Sequence, residues 1–259
     1  MVDVFRCLNC YDSEKQLSKN VITYRLIKSL IELLEVLYKI SDFRSIRSQL
    51  TIQRTIVNYY SILYLLTSFN SKEEQNLRYY LFLLDTFKSR KDKLSEIKKE
   101  TPEEILIEIK QKVSELEKGD EKSYLDILST INQKNLNSQV SENVIKRNNW
   151  KFKNPFETNQ NNNKFSWKEL AEIAKIPKKF AIFYQDYASD FVHGIGSSPI
   201  ISEDEKNVDQ IISETVKFSS VLMYLIIKII FNEFEEEVKF TDINSMIKEK
   251  SDYLWNKKI

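Results

Sequence analysis

The sequence predicts an all-α protein, a single multi-helix bundle. Three observations predict it. Apolar residues recur at helical spacing over long stretches, and no stretch alternates convincingly as a strand would. Glycine and proline are scarce, three and four in 259 residues, and strand-rich folds consume both in their many turns. Finally, helix starts are spelled out as capping boxes: Ser71-Lys-Glu-Glu74, Thr101-Pro-Glu-Glu104, Ser166-Trp-Lys-Glu169 and Ser202-Glu-Asp-Glu205. In each, the hydroxyl can accept from the backbone amide three residues on while the glutamate reaches back.

Taken in order, the chain opens with "MVDVFRCLNCYDSEK", which has no apolar run long enough for a signal peptide. Cys7 and Cys10 are spaced as half of a four-ligand zinc site, with no second pair. They read as two thiols near a flexible terminus of about 1–12, the alternative being a zinc shared between two subunits. Helices are predicted at about 13–40, 42–69, 72–99, 102–118, 121–133, 139–148, 167–175, 178–193, 203–235 and 242–255. Ser41 opens the second, and Pro102 favours a start at the fourth. In 102–118 the apolar positions are Ile105, Leu106, Ile109, Val113 and Leu116. The segment "KFKNPFETNQNNNK", at 151–164, has no periodicity and reads as a loop. The helices after it are too apolar to stand alone. One domain spanning 1–259 is therefore expected, with the helices near 42–69, 178–193 and 203–235 at its centre.

The most apolar run, "VLMYLIIKIIF" at 221–231, raises the question of a membrane span. Glu214, Lys217, Val221, Tyr224, Lys228, Asn232 and Glu235 draw a mostly polar stripe along the whole helix, which a lone span would not carry. A core helix with one wet edge is expected, with no membrane partner and a cytoplasmic location. Net charge is +1, from 39 basic and 38 acidic residues, so no global field attracts nucleic acid or anionic lipid.

Candidate functional residues gather in two places. The first is "YQDYASDFVHGIGSSP", which holds the only histidine, His193. Phe180, Tyr184, Tyr187 and Phe191 share one face of the predicted helix, and Asp186, Ser189 and His193 share another. Gly194 stands where a left-handed C-cap is wanted, so His193 lies in the last turn. A helix cap accounts for that pattern. A chain that otherwise avoids histidine, with an aromatic face opposite, points instead to a polar cleft. The second place is the helix from Ser41. Arg47, Thr51, Arg54, Asn58 and Ser61 form a polar stripe, Arg44 lies one turn before, and Ile46, Leu50, Ile56, Val57, Tyr60 and Leu63 flank it as buried positions. Arginine suits bidentate pairing with carboxylate or phosphate. A solvated basic face or an internal salt bridge is the structural alternative.

The stretch "FSWKELAEIAKIPKKFAIFYQDYASDFVHG" resembles an uncharacterised bacterial family, a helical domain of unknown function. Its members show a Trp-bearing short helix, then a Tyr-rich helix ending in Ser-x-x-x-His. Trp167, Tyr184, Tyr187, Ser189 and His193 match it. "RSIRSQLTIQRTIVNYYSILYLL" resembles the family's arginine-bearing helix and "NLRYYLFLLDTFKSR" the next one; the resemblance covers roughly 40–200. Where the family carries a glutamate a turn after the arginines, this chain has Gln49 and Gln53. The helical pattern is similar to the HEPN superfamily of toxin–antitoxin and phage-defence systems. Active HEPN ribonucleases carry Arg, four to six residues, then His; here those positions are Asp186, Tyr187 and Ala188.

The resemblance implies a bacterial defence or stress setting. The reading adopted is a non-catalytic module that binds RNA, a nucleotide or a partner protein from the same operon in the cleft around His193, using Arg44, Arg54, Asp186, Tyr184 and Tyr187. The alternative is a metal-independent ribonuclease, with His193 as general acid/base, Ser189 orienting it and Arg47 holding the phosphate. No cofactor and no metal are expected, because one histidine with no carboxylate pair flanking it at ligand spacing leaves little to hold an ion. A homodimer is compatible with either.

Overall fold

The computed structural model describes residues 18–41, 46–100, 103–157, 163–183, 185 and 205–234. Among them every regular element is helical. In chain order these are α1 (Lys19–Ser41), α2 (Ile46–Thr67), α3 (Lys72–Glu100), α4 (Glu103–Gln133), a 3-10 turn (Leu136–Gln139), α5 (Glu142–Lys146), α6 (Trp167–Ile173), α7 (Lys178–Ile182) and α8 (Glu205–Glu233). The helices predicted at 102–118 and 121–133 are one continuous α4. Gly119 does not break it, because its neighbour Asp120 is buried and pairs with Arg90 of α3. That tie favours helix continuing through a residue that costs about 1 kcal/mol in a helix interior. The helix predicted at 139–148 shrinks to α5, preceded by the 3-10 turn. The 242–255 helix lies outside the described residues.

Contacts divide the chain into two compact units, one drawn from 1–69 and 166–259, the other spanning 70–165. In the first, α2 packs on α1, α6 and α8, and α1 on α8. Their apolar faces close one core. Tyr24, Ile27 and Leu30 of α1 meet Leu50, Val57 and Tyr60 of α2 and Leu222, Ile226 and Ile230 of α8, all at most 1% exposed. Phe180 of α7 lies 4.8 Å from Phe218, ring centre to ring centre. The apolar run 221–231 is thus core, and Lys217, Lys228 and Asn232 form its wet edge as expected. No described helix is long and apolar enough to cross a membrane.

Local chemistry sets the ends of these helices. Ser18 accepts from the Val21 amide at 3.3 Å and opens α1, and the predicted start near 13 lies outside the described residues. Ser166 and Glu169 form the full capping box on α6, at 3.2 and 2.8 Å. Lys175 closes α6 in a left-handed conformation, φ 64°. The amides of Lys175 and Ile176 return to the carbonyls of Glu172 and Ala171, both at 3.1 Å, which is a Schellman closure without glycine. Pro177 then opens α7, as expected.

In the second unit, α3 and α4 pair along their length. The Lys91–Glu121 ion pair, 3.4 Å, reinforces the Arg90–Asp120 link. At the start of α3, Ser71 caps the Glu74 amide at 3.3 Å, while the Glu74 carboxylate engages Asn70 and Arg78. Arg78 is wholly buried. It donates to the carbonyls of Trp150 (2.7 Å) and Phe152 (2.9 Å), and its guanidinium stacks 3.7 Å from the Phe152 ring centre. The segment read as a loop from 151 is thereby anchored from within. Asn163 adds a second anchor, its side chain bonding the backbone of Lys153 and Asn154.

Candidate polar site on helix α2

Helix α2 places its apolar residues as the sequence predicts, with Ile46, Leu50, Ile56, Val57, Tyr60 and Leu63 all buried. Much of its polar stripe is spent inside the helix itself. Thr51 donates to the Arg47 carbonyl at 2.9 Å, Thr55 to Thr51 at 3.0 Å and Ser61 to Val57 at 2.7 Å. Such back-bonds satisfy hydroxyls without requiring a ligand. Arg47 is exposed, and Arg54 is half-buried.

The unexpected residues are Gln49 and Gln53. Both are 0% exposed. None of their four side-chain polar atoms has a hydrogen-bond partner among the described residues, and the same holds for Nε of Arg54. Leaving a buried amide group unpaired costs about 1–3 kcal/mol, so such groups in a native fold require a cause. One turn apart, the two amides share a face, and each can donate and accept at once. Further along, Asn58 accepts from Gln185 at 2.7 Å, and Gln185 is buried.

The signal for the glutamines was in the spacing. Gln49 completes the apolar series 46, 49, 53, 56, 60, 63, and Gln53 belongs to it too. An amide at such positions is carried into the core by its neighbours.

The electrostatics are those of a neutral site. Helix α2 contains no Asp, Glu or His. The Tyr60 phenol is pushed far above its ordinary range by burial and then by neighbouring Tyr64, and Tyr64 is raised by burial. Neither serves as an acid or base near neutrality. His193, Ser189, Asp186, Tyr187, Tyr184 and Arg44, together with Cys7 and Cys10, lie outside the described residues. Of the residues predicted from sequence, Arg47 and Arg54 are therefore the ones the structure places, on the same helix as the unpaired amides. No family model, curated protein or solved structure matches the chain.

Proposed function

We propose that this chain is a HEPN-like helical protein of a bacterial defence or stress system that works as a non-catalytic binding module for a nucleotide or an RNA base. The observation that carries the reading is the pair Gln49 and Gln53, wholly buried with every side-chain polar atom unpaired. A glutamine amide offers a donor and an acceptor side by side, the pattern that matches a base edge such as that of adenine. Arg54 adds a planar cationic donor suited to a phosphate. An α2 face without a carboxylate or imidazole has hydrogen bonds to offer but no group to move a proton at neutral pH.

The test titrates a fluorescent adenine nucleotide and a short single-stranded RNA into the full chain. Saturable binding is expected. Gln49→Met and Gln53→Met should each weaken it about tenfold or more, the loss of a paired hydrogen bond, while the fold melts no lower. Unchanged binding in both variants would remove α2 from the site. RNA cleavage by the wild type that disappears in His193→Ala would replace the binding module with the ribonuclease.

A further inference from the structure

We propose that Gln185 is a positioning residue of the α2 site: it holds the Asn58 amide so that Asn58 and Arg54 together grip the phosphate of the bound nucleotide. The inference rests on the reading of α2 as a site for a nucleotide or an RNA base, and it names the end of the ligand that lies at the edge of the helix.

Arg54 is a half-buried cation without a counter-charge. Its Nε is sealed from water and unpaired, and its side chain has no hydrogen bond or ion pair among the described residues. Helix α2 itself contains no carboxylate. Arg78 and Arg90, by contrast, are engaged by Glu74 and Asp120. A planar guanidinium left in this state is matched to an oxyanion from outside, since it can fork onto two of the oxygens.

Asn58 stands one turn after Arg54. Side chains on a helix lean toward its N-terminus, so the Asn58 amide lies over the turn that carries Arg54. Which end of that amide faces the ligand depends on Gln185. The Gln185 amide nitrogen donates to the Asn58 oxygen at 2.7 Å. With its oxygen engaged, Asn58 keeps an NH2 group that only donates, and this group has no partner among the described residues. Turned over, the amide would present its oxygen and repel an anion. Gln185 is buried and so makes a fixed point. It and Phe183 follow α7 in π-helical winding, a rare form that recurs at functional sites.

Burial orients the ligand. Gln49 and Gln53 lie within the buried face of α2, and Arg54 and Asn58 lie at its half-buried edge. A base on the glutamines and a phosphate at the edge keep the ring inside and the charge near water.

The test is calorimetric titration of the full chain with adenosine and with adenosine 5′-monophosphate at matched ionic strength. The phosphate should strengthen wild-type binding about tenfold or more, the worth of one charge-assisted hydrogen bond. Gln185→Met and Asn58→Asp should each lose most of that gain while binding adenosine as the wild type does. A residue that only stabilised the fold would weaken both ligands alike. Asn58→Asp is the sharper variant. It keeps an acceptor for Gln185, puts a carboxylate oxygen where the donor was and gives Arg54 a counter-charge, so it should melt no lower than the wild type. An RNA oligomer without a terminal phosphate separates two sources of the group. Weaker binding in Asn58→Asp places an internal phosphate in the subsite, unchanged binding a terminal one, and both support it. Equal wild-type affinity for the two nucleoside ligands, or a phosphate gain that survives in either variant, would overturn this inference and leave the glutamines as the base site. Binding of neither ligand would overturn that reading and this inference together.

Discussion

The Gln185 amide donates to the Asn58 side-chain oxygen at 2.7 Å, joining positions 127 apart in sequence. The bond ties the segment after α7 to the middle of α2, on the same helix as the unpaired Gln49 and Gln53. Asn58→Ala should destabilise the fold by about 1–3 kcal/mol, because it leaves a buried amide unsatisfied. Adding Gln185→Met should restore part of that loss. Urea midpoints for the two single variants and the double variant test the coupling, and strictly additive losses would contradict it.

Gln49→Met and Gln53→Met should each raise the melting temperature. Removing an unsatisfied buried amide while keeping its volume is worth about 1 kcal/mol or more. A lower melting temperature in both would show that the amides are well bonded in solution.

Arg78 should be among the least replaceable residues of the 70–165 unit. Arg78→Leu strands the Trp150 and Phe152 carbonyls and the Glu74 carboxylate, a loss of about 3–5 kcal/mol. Arg78→Lys should recover little of it, since an ammonium cannot fork between two carbonyls and a carboxylate or stack on Phe152 as a plane. Chemical denaturation of the three proteins measures both effects. A lysine variant close to wild type would refute the geometric argument.

Gly119→Ala should stabilise the chain by about 0.5–1 kcal/mol, through the entropy of the unfolded state. A Cβ at Gly119 meets no atom within 4 Å, and the residue is exposed in mid-helix. Helix content and the melting curve should both rise or stay level; a fall would mean that the helix needs glycine at this point.

Lys151 predicts a pH dependence of stability. Its amine has an ordinary value of 10.5 and is lowered to about 8 in the fold. Between those values the unfolded chain binds more protons, so this group's contribution to stability improves as pH rises through that window. Lys151→Met should therefore stabilise more at pH 7 than at pH 10, with Tm differences as the readout. An equal gain at both would show that the amine is not perturbed.

Much of the architecture was legible because its causes are local. Apolar spacing marked the buried face of α2 and the core role of α8, Ser166-Trp-Lys-Glu169 marked the start of α6, and Pro177 marked the start of α7. Boundaries failed where tertiary contact overrode a local cue, as at Gly119, whose helix is carried through by the pairing of Asp120 with Arg90. The end of α6 was legible from Pro177 and falls close to the predicted 175, but that Lys175 itself closes it was not, because lysine has no preference for φ 64°.

The sequence by itself determined an all-α protein, which helix faces go inward, and that arginines collect on α2. Tertiary structure decided the fate of the polar residues. Whether a glutamine is solvated or stranded depends on what packs over it, and Gln49 and Gln53 are stranded because they ride on apolar positions of a central helix. Arg78 became the anchor of the stretch around Trp150 and Phe152 only through carbonyls more than seventy residues away. Periodicity encodes burial, since burial follows from one helix and its neighbours along the chain. Hydrogen-bond partners brought together by folding leave no periodic trace in the sequence.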